Sequence, residues 1–208
     1  MAKRIGLART QALIQQLKRE LLMGGTVFED VKIGGNVTTV GAGLQSGSIA
    51  MPITRITNVG GEIVTSIGLD LQDLSGSAED NVVIGNPTSG EPAYLYQHQD
   101  SVNGKIYKVE ITCLEDIAGG HANNRFGISG STLGAYTQGQ AGTGLGDPFL
   151  VYNMTGSIQT FDTFSGSVVV QPDNDSYMYL LAQHNAGGTA GKFTAGKLVI
   201  KFYGQEEF

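Results

Sequence analysis

The chain has 208 residues with 31 Gly and 15% charged side chains, against about 7% Gly and about 25% charge in an average globular chain. That balance suits short strands joined by tight turns, not long surface helices filled with Glu, Lys and Arg. The net charge of −6 gives no general affinity for nucleic acid or anionic membrane, and a single cysteine, Cys113, excludes an internal disulfide and any multi-cysteine metal site.

Charge is unevenly spread. Residues 1–23 hold Lys3, Arg4, Arg9, Lys18 and Arg19 against Glu20 alone, 5 − 1 = +4, so the remainder carries −6 − 4 = −10. Within this segment Leu13, Ile14, Leu17 and Leu21 recur at helical spacing, with Gln11, Gln15, Lys18 and Arg19 on other faces, which predicts an amphipathic helix near residues 8–23. Thr10 is a candidate cap, and Gly24-Gly25 supplies the stop and a hinge. We therefore read residues 1–25 as a basic amphipathic helix with its hinge and residues 26–208 as a β-domain. No run approaches the roughly 20 apolar residues of a membrane-spanning helix, and the basic start lacks the continuous apolar stretch of a secretory leader.

From Thr26 onward the hydrophobic period is two. Ile63, Thr65, Ile67, Leu69 and Leu71 alternate with Glu62, Val64, Ser66, Gly68 and Asp70, the pattern of a strand with one buried face. Ile49, Met51 and Ile53 alternate just before it. Asn103-Gly104 is a hairpin signal, placed between Ala93–Gln99, with Tyr94, Tyr96 and His98 on one side, and Lys105–Leu114, with Tyr107, Val109, Ile111 and Cys113 on one side. The segment 118–147 has nine Gly in thirty residues; it reads either as a long functional loop or as a Gly-rich hairpin of Arg125–Ser129 and Leu133–Thr137. Further strands are expected at Phe149–Met154, Ser157–Phe161, Ser167–Gln171, Tyr177–Ala182 and Lys197–Tyr203, with turns at Pro172-Asp173-Asn174 and 185–191. Many short strands with polar turns predict a mainly β fold, a jelly-roll-like sandwich or barrel preceded by one helix.

Residues that could carry chemistry are few. His98, His121 and His184 lack metal-ligand spacing and read as solvated or locally bonded. Cys113 shares a predicted strand face with Val109 and Ile111, which makes it a small buried hydrophobe and not a nucleophile. Neither GAGLQSG (41–47) nor GTGLGD (142–147) matches a phosphate-binding loop, and Asp173-Asn174-Asp175 lacks the Gly and distal Glu of a calcium loop. The expectation is a non-enzyme with no catalytic residue, no metal and no cofactor. Tyr94, Tyr96, Tyr136 and Tyr152 are candidates for a sugar-stacking platform, or line the inside of a sheet. The basic helix packs on its own β-body, docks on a neighbouring subunit, or contacts phosphates; +4 is small for the last task, so nucleic acid is not an expected partner. The candidate assembly residues are Leu13, Ile14, Leu17, Leu21, Arg4, Arg9, Lys18 and Arg19.

The opening AKRIGLARTQALIQQLKRELLMGG, the closing SYMYLLAQHNAGGTAGKFTAGKLVIKFYG, and the pieces IYKVEITCLED and ANNRFGIS cover about a third of the chain. Together they resemble small capsid-associated structural proteins of marine tailed bacteriophages. The resemblance implies assembly on or in the capsid and no catalytic residue; a chain this short and strand-rich then points to a capsid decoration (cement) protein, expected to be a virion component made in the host cytoplasm, a homotrimer contacting neighbouring capsid proteins, with no membrane partner. Other roles that the residues leave open are a single-jelly-roll shell protein with its helix toward the genome, a tail or connector part, and a glycan-binding attachment module.

Overall fold

A computed structural model describes residues 41–44, 53–76, 79–120, 125–142, 148–183 and 191–206. Among the described residues ten strands follow one another: β1 (Ile53–Val59), β2 (Glu62–Asp70), β3 (Val82–Val83), β4 (Tyr94–Gln97), β5 (Lys105–Gly119), β6 (Arg125–Ser131), β7 (Phe149–Asn153), β8 (Thr163–Ser167), β9 (Tyr177–Gln183) and β10 (Phe193–Gln205). The described chain is mainly β, as its period-two pattern predicts. The predicted N-terminal helix lies outside the described residues.

The strands form two antiparallel sheets. The first has the order β1-β2-β10-β5-β8; the second runs β3-β9-β6-β7, with β4 also paired to β9. Eight of the strands pair as a nested set: β6 with β7, β5 with β8, β4 with β9, and β2 with β10. The backbone thus runs as one long antiparallel ribbon whose halves are shared between two layers, with β1 added outside β2 through a two-residue turn at Gly60-Gly61. Both glycines have positive φ, +62° and +83°, which is the backbone a tight primed hairpin turn requires.

One core fills the space between the sheets. Ile67 and Leu69 of β2, Leu198, Ile200 and Phe202 of β10, and Val109, Ile111 and Cys113 of β5 meet Met178 and Leu180 of β9, Phe126 and Ile128 of β6, and Tyr152 of β7. The Tyr96 ring crosses the interface edge-on to Phe202, with ring centres 5.1 Å apart. Each fully buried Leu, Ile or Phe contributes roughly 1.5–3 kcal/mol, so the alternating stretches of β2, β5 and β10 hold the first sheet in place.

Three expectations need correction. The runs flanking Asn103-Gly104 do not face each other: β4 belongs to the second sheet and β5 to the first. Asn103 ends a helical turn, Asp100–Asn103, and Gly104 at φ +68° closes it by donating to the Asp100 carbonyl. The positive φ of Gly104 is used to cross between layers, and the buried Asn103 amide donates to the Thr65 hydroxyl at 2.9 Å to anchor the crossing. Second, Tyr107 does not share a face with Val109. Ile106 pairs with Gly204 and Lys108 with Tyr203, so Tyr107 is a bulged extra residue that points outward. Third, Ser157–Phe161 and 168–171 are not strands; β8 lies between them, at Thr163–Ser167. In the glycine-rich segment Arg125–Ser131 is a strand, while Leu133–Thr137 belongs to a turn-rich cover on the outer face of the second sheet.

Candidate functional site

Cys113 marks one corner of the first sheet. Its side chain is buried, and its thiol donates to the Glu115 carbonyl oxygen at 3.0 Å. Burial pushes the thiol pKa up, and the carboxylates of Asp116, Asp162 and Glu115 push it the same way. A thiol held protonated inside a core is a poor nucleophile. The surroundings of Cys113 are more informative. Phe161 N–H donates to the Cys113 carbonyl at 2.8 Å, and Cys113 N–H donates to the Asp162 carbonyl at 3.0 Å. The turn Gln159–Asp162 is closed by Asp162 N–H on the Gln159 carbonyl and by the Asp162 carboxylate on Gln159 N–H, each at 3.0 Å. The Thr160 hydroxyl donates to Asp116.

This turn holds Phe161 at φ +66° with 80% of its surface in water. Left-handed backbone is costly for a bulky side chain, and full exposure wastes an aromatic ring that the core could use. Leu114, the residue after Cys113, is 48% exposed. Around these two lie Glu115, Asp116 and Asp162, with Lys197 paired to Glu115; the local charge is −3 + 1 = −2. No sequence signal marks Phe161, because the run Ser157–Phe161 carries neither glycine nor asparagine at the left-handed position.

A second polar cluster lies where β4 leads into the helical turn. The wholly buried His98 has its Nε2 2.9 Å from Asp100 Oδ1, and Lys105 Nζ bonds the other Asp100 oxygen. Burial lowers the His98 pKa, partly offset by Asp100. At Asp100 burial acts upward, but the bonds from Lys105 and His98 outweigh it and hold the carboxyl below its ordinary value. Ser176 faces His98 across the strand pair, where His98 N–H donates to the Ser176 carbonyl at 2.7 Å. The Ser176 hydroxyl is buried and does not bond His98 Nδ1. A Ser, a His and an Asp are thus neighbours without the nucleophile–base hydrogen bond and without exposure for a substrate, and the cluster fastens the β4–β5 crossing.

The expected tyrosine platform divides. Tyr96 and Tyr152 are in the main core, so neither can stack on a sugar. A register shift between Tyr94 and Tyr96 sends Tyr94 to the opposite face. There Tyr94, Tyr136 and Tyr177 pack partly exposed around buried Tyr179, whose hydroxyl donates to the Leu133 carbonyl at 2.8 Å. They form a small second core under the 131–142 cover.

Among the described residues no group of three or more His, Cys, Asp or Glu could hold a metal ion, and no described helix is long and apolar enough to cross a membrane. His121, His184 and the assembly candidates Arg4, Arg9, Leu13, Ile14, Leu17, Lys18, Arg19 and Leu21 lie outside the described residues. Comparison with family models, with curated proteins and with solved structures found no match.

Proposed function

We propose that the chain is a structural component of a tailed-phage particle, a capsid decoration protein that works by packing against copies of itself and against the shell. Phe161 is the observation that carries this reading. A folded body with a closed core keeps a large aromatic ring outside, in a strained backbone state, and strain of that kind gathers at functional surfaces. Val59, Val102, Tyr107, Leu133, Val169 and Val170 add further exposed apolar side chains.

The fold supports the reading at the level of architecture. The nested pairing of β2 with β10, β4 with β9, β5 with β8 and β6 with β7 supports reading the body as an eight-stranded jelly roll, an architecture used by viral capsid and lectin domains. Architecture alone does not assign a role; the sequence resemblance selects the particle. The reading assigns no catalytic residue, no cofactor and no membrane partner, and takes the assembled form as a homotrimer in the virion.

Quantitative mass spectrometry of purified particles tests it. Decoration predicts many copies per particle, in a fixed ratio to the shell protein. A few copies per particle would assign the chain to a tail or connector instead, and complete absence would remove it from the virion.

A further inference from the structure

We propose that the corner carrying Leu114 and Phe161 is the acceptor for residues 1–23 of a second copy of this chain, an inference that rests on the assembly role above and names its contact. Charge and apolarity match on the two sides. The corner offers two exposed apolar side chains among Glu115, Asp116 and Asp162, with Lys197 as the ion-pair partner of Glu115. The segment offers Leu13, Ile14, Leu17 and Leu21 at helical spacing together with a net charge of +4. An apolar stripe on so short a helix cannot stand alone in water, and acidic surroundings select a basic amphipathic segment over an acidic one.

The assembly role proposed above selects a second copy over the same chain, and the place where the described chain enters the body agrees with it. Gly41 N–H donates to the Tyr94 carbonyl and Gly43 N–H to the Pro92 carbonyl, each at 2.9 Å. The described chain therefore begins alongside β4, at one edge of the second sheet. Phe161 leads into β8, the far edge of the first sheet. β8 lies over β7 at the opposite edge of the second sheet: Gly166 sits against the Tyr152 ring, and Val169 N–H donates to the Val151 carbonyl at 2.8 Å. The described chain thus enters at one edge of the body, and the acceptor lies at the other. A contact between different patches of two copies closes into a ring where the rotation between copies allows it, and runs on as a filament where it does not.

The test uses the full chain and two substitutions, Phe161→Asn and Leu17→Asp, with size followed by light scattering across a dilution series. Asn tolerates the left-handed backbone that Phe161 occupies, so Phe161→Asn removes the ring without threatening the fold, and thermal melting checks this. Leu114→Gln serves as a second acceptor variant. Each substitution is expected to weaken self-association at least about tenfold, and the double variant to be no weaker than the worse single one, because both remove the same contact. If Leu17→Asp dissociates the assembly while both acceptor variants assemble normally, the acceptor lies elsewhere and the inference is overturned, with the particle role left standing. If the acceptor variants dissociate but Leu17→Asp does not, the occupant is not this segment. A wild-type chain that stays monomeric at every concentration overturns it as well; particle mass spectrometry then decides the assembly role independently.

Discussion

Phe161, His98 and Tyr96 each hold a state that a free side chain would not choose. At Phe161 the departure is in the backbone, φ +66°, and left-handed geometry costs an L-residue about 1–2 kcal/mol. Phe161→Gly or Phe161→Asn should therefore leave the isolated body unchanged or stabilise it by up to about 1 kcal/mol in urea unfolding; a clear loss would mean that the ring supports the fold. At His98 the departure is in charge. Burial keeps the ring neutral and lowers its pKa from the ordinary 6.5. The unfolded chain takes up this proton first as pH falls, so stability is full above the ordinary value and is lost as pH drops below it. Replacing His98 by Gln should flatten the fall in stability between about pH 7 and pH 5, and parallel curves for the two proteins would contradict the assignment. The loss of the Asp100 contribution comes lower, because its carboxyl is held below the usual range. At Tyr96 the buried hydroxyl has no hydrogen-bond partner among the described residues. Tyr96→Phe should be neutral or stabilising by about 1 kcal/mol, measured by the same unfolding curves.

At the scale of elements, what the sequence made legible was whatever period two alone decides. Glu62–Asp70 alternates without interruption and is β2. Tyr177–Ala182 and Lys197–Tyr203 were also legible, though β10 starts four residues earlier, at Phe193, where bulges against β5 break the alternation. Bulges are also why Tyr107 and Tyr94 were assigned to the wrong faces: one extra residue reverses every side chain beyond it, and nothing local announces it. Asn103-Gly104 is a hairpin signal that the structure uses otherwise: Asn103 ends a helical turn and only Gly104 has positive φ, because a two-residue signal does not fix the partner strand. Gly104 itself is demanding. It has φ +68°, and a Cβ there would lie 2.7 Å from the Gln205 carbonyl oxygen. Gly104→Ala should cost more than about 1 kcal/mol, and a neutral result would show that the crossing can relax. The Phe161 corner was not legible at all: its exposure follows from a turn whose hydrogen bonds join residues of β5 to the stretch before β8, and no window of sequence contains both.

At the scale of the whole molecule, nested pairing explains how a chain with this much glycine and so little charge can fold. Each layer contributes one apolar face to a shared core, and the polar residues Lys108, Glu110, Lys201 and Tyr203 are left on the outer face of the first sheet. There Lys201 and Lys108 reach Glu110 at 3.1 and 3.4 Å, and the Lys108 ammonium sits 4.4 Å from the centre of the Tyr203 ring. Such part-buried pairs at a sheet surface contribute modest stability; they keep that face polar. The most exposed apolar side chains of the described residues, Phe161, Val169 and Val59, lie off that face, at the Phe161 corner, after β8 and at the β1–β2 turn, and the first 23 residues carry a predicted stripe that needs a surface. A body of this kind is suited to being held by its neighbours. The most direct measurement is the copy number of this chain in purified particles, set by quantitative mass spectrometry against the shell protein. The account predicts a fixed stoichiometric ratio at many copies per particle; absence from particles, or a handful of copies, would contradict it.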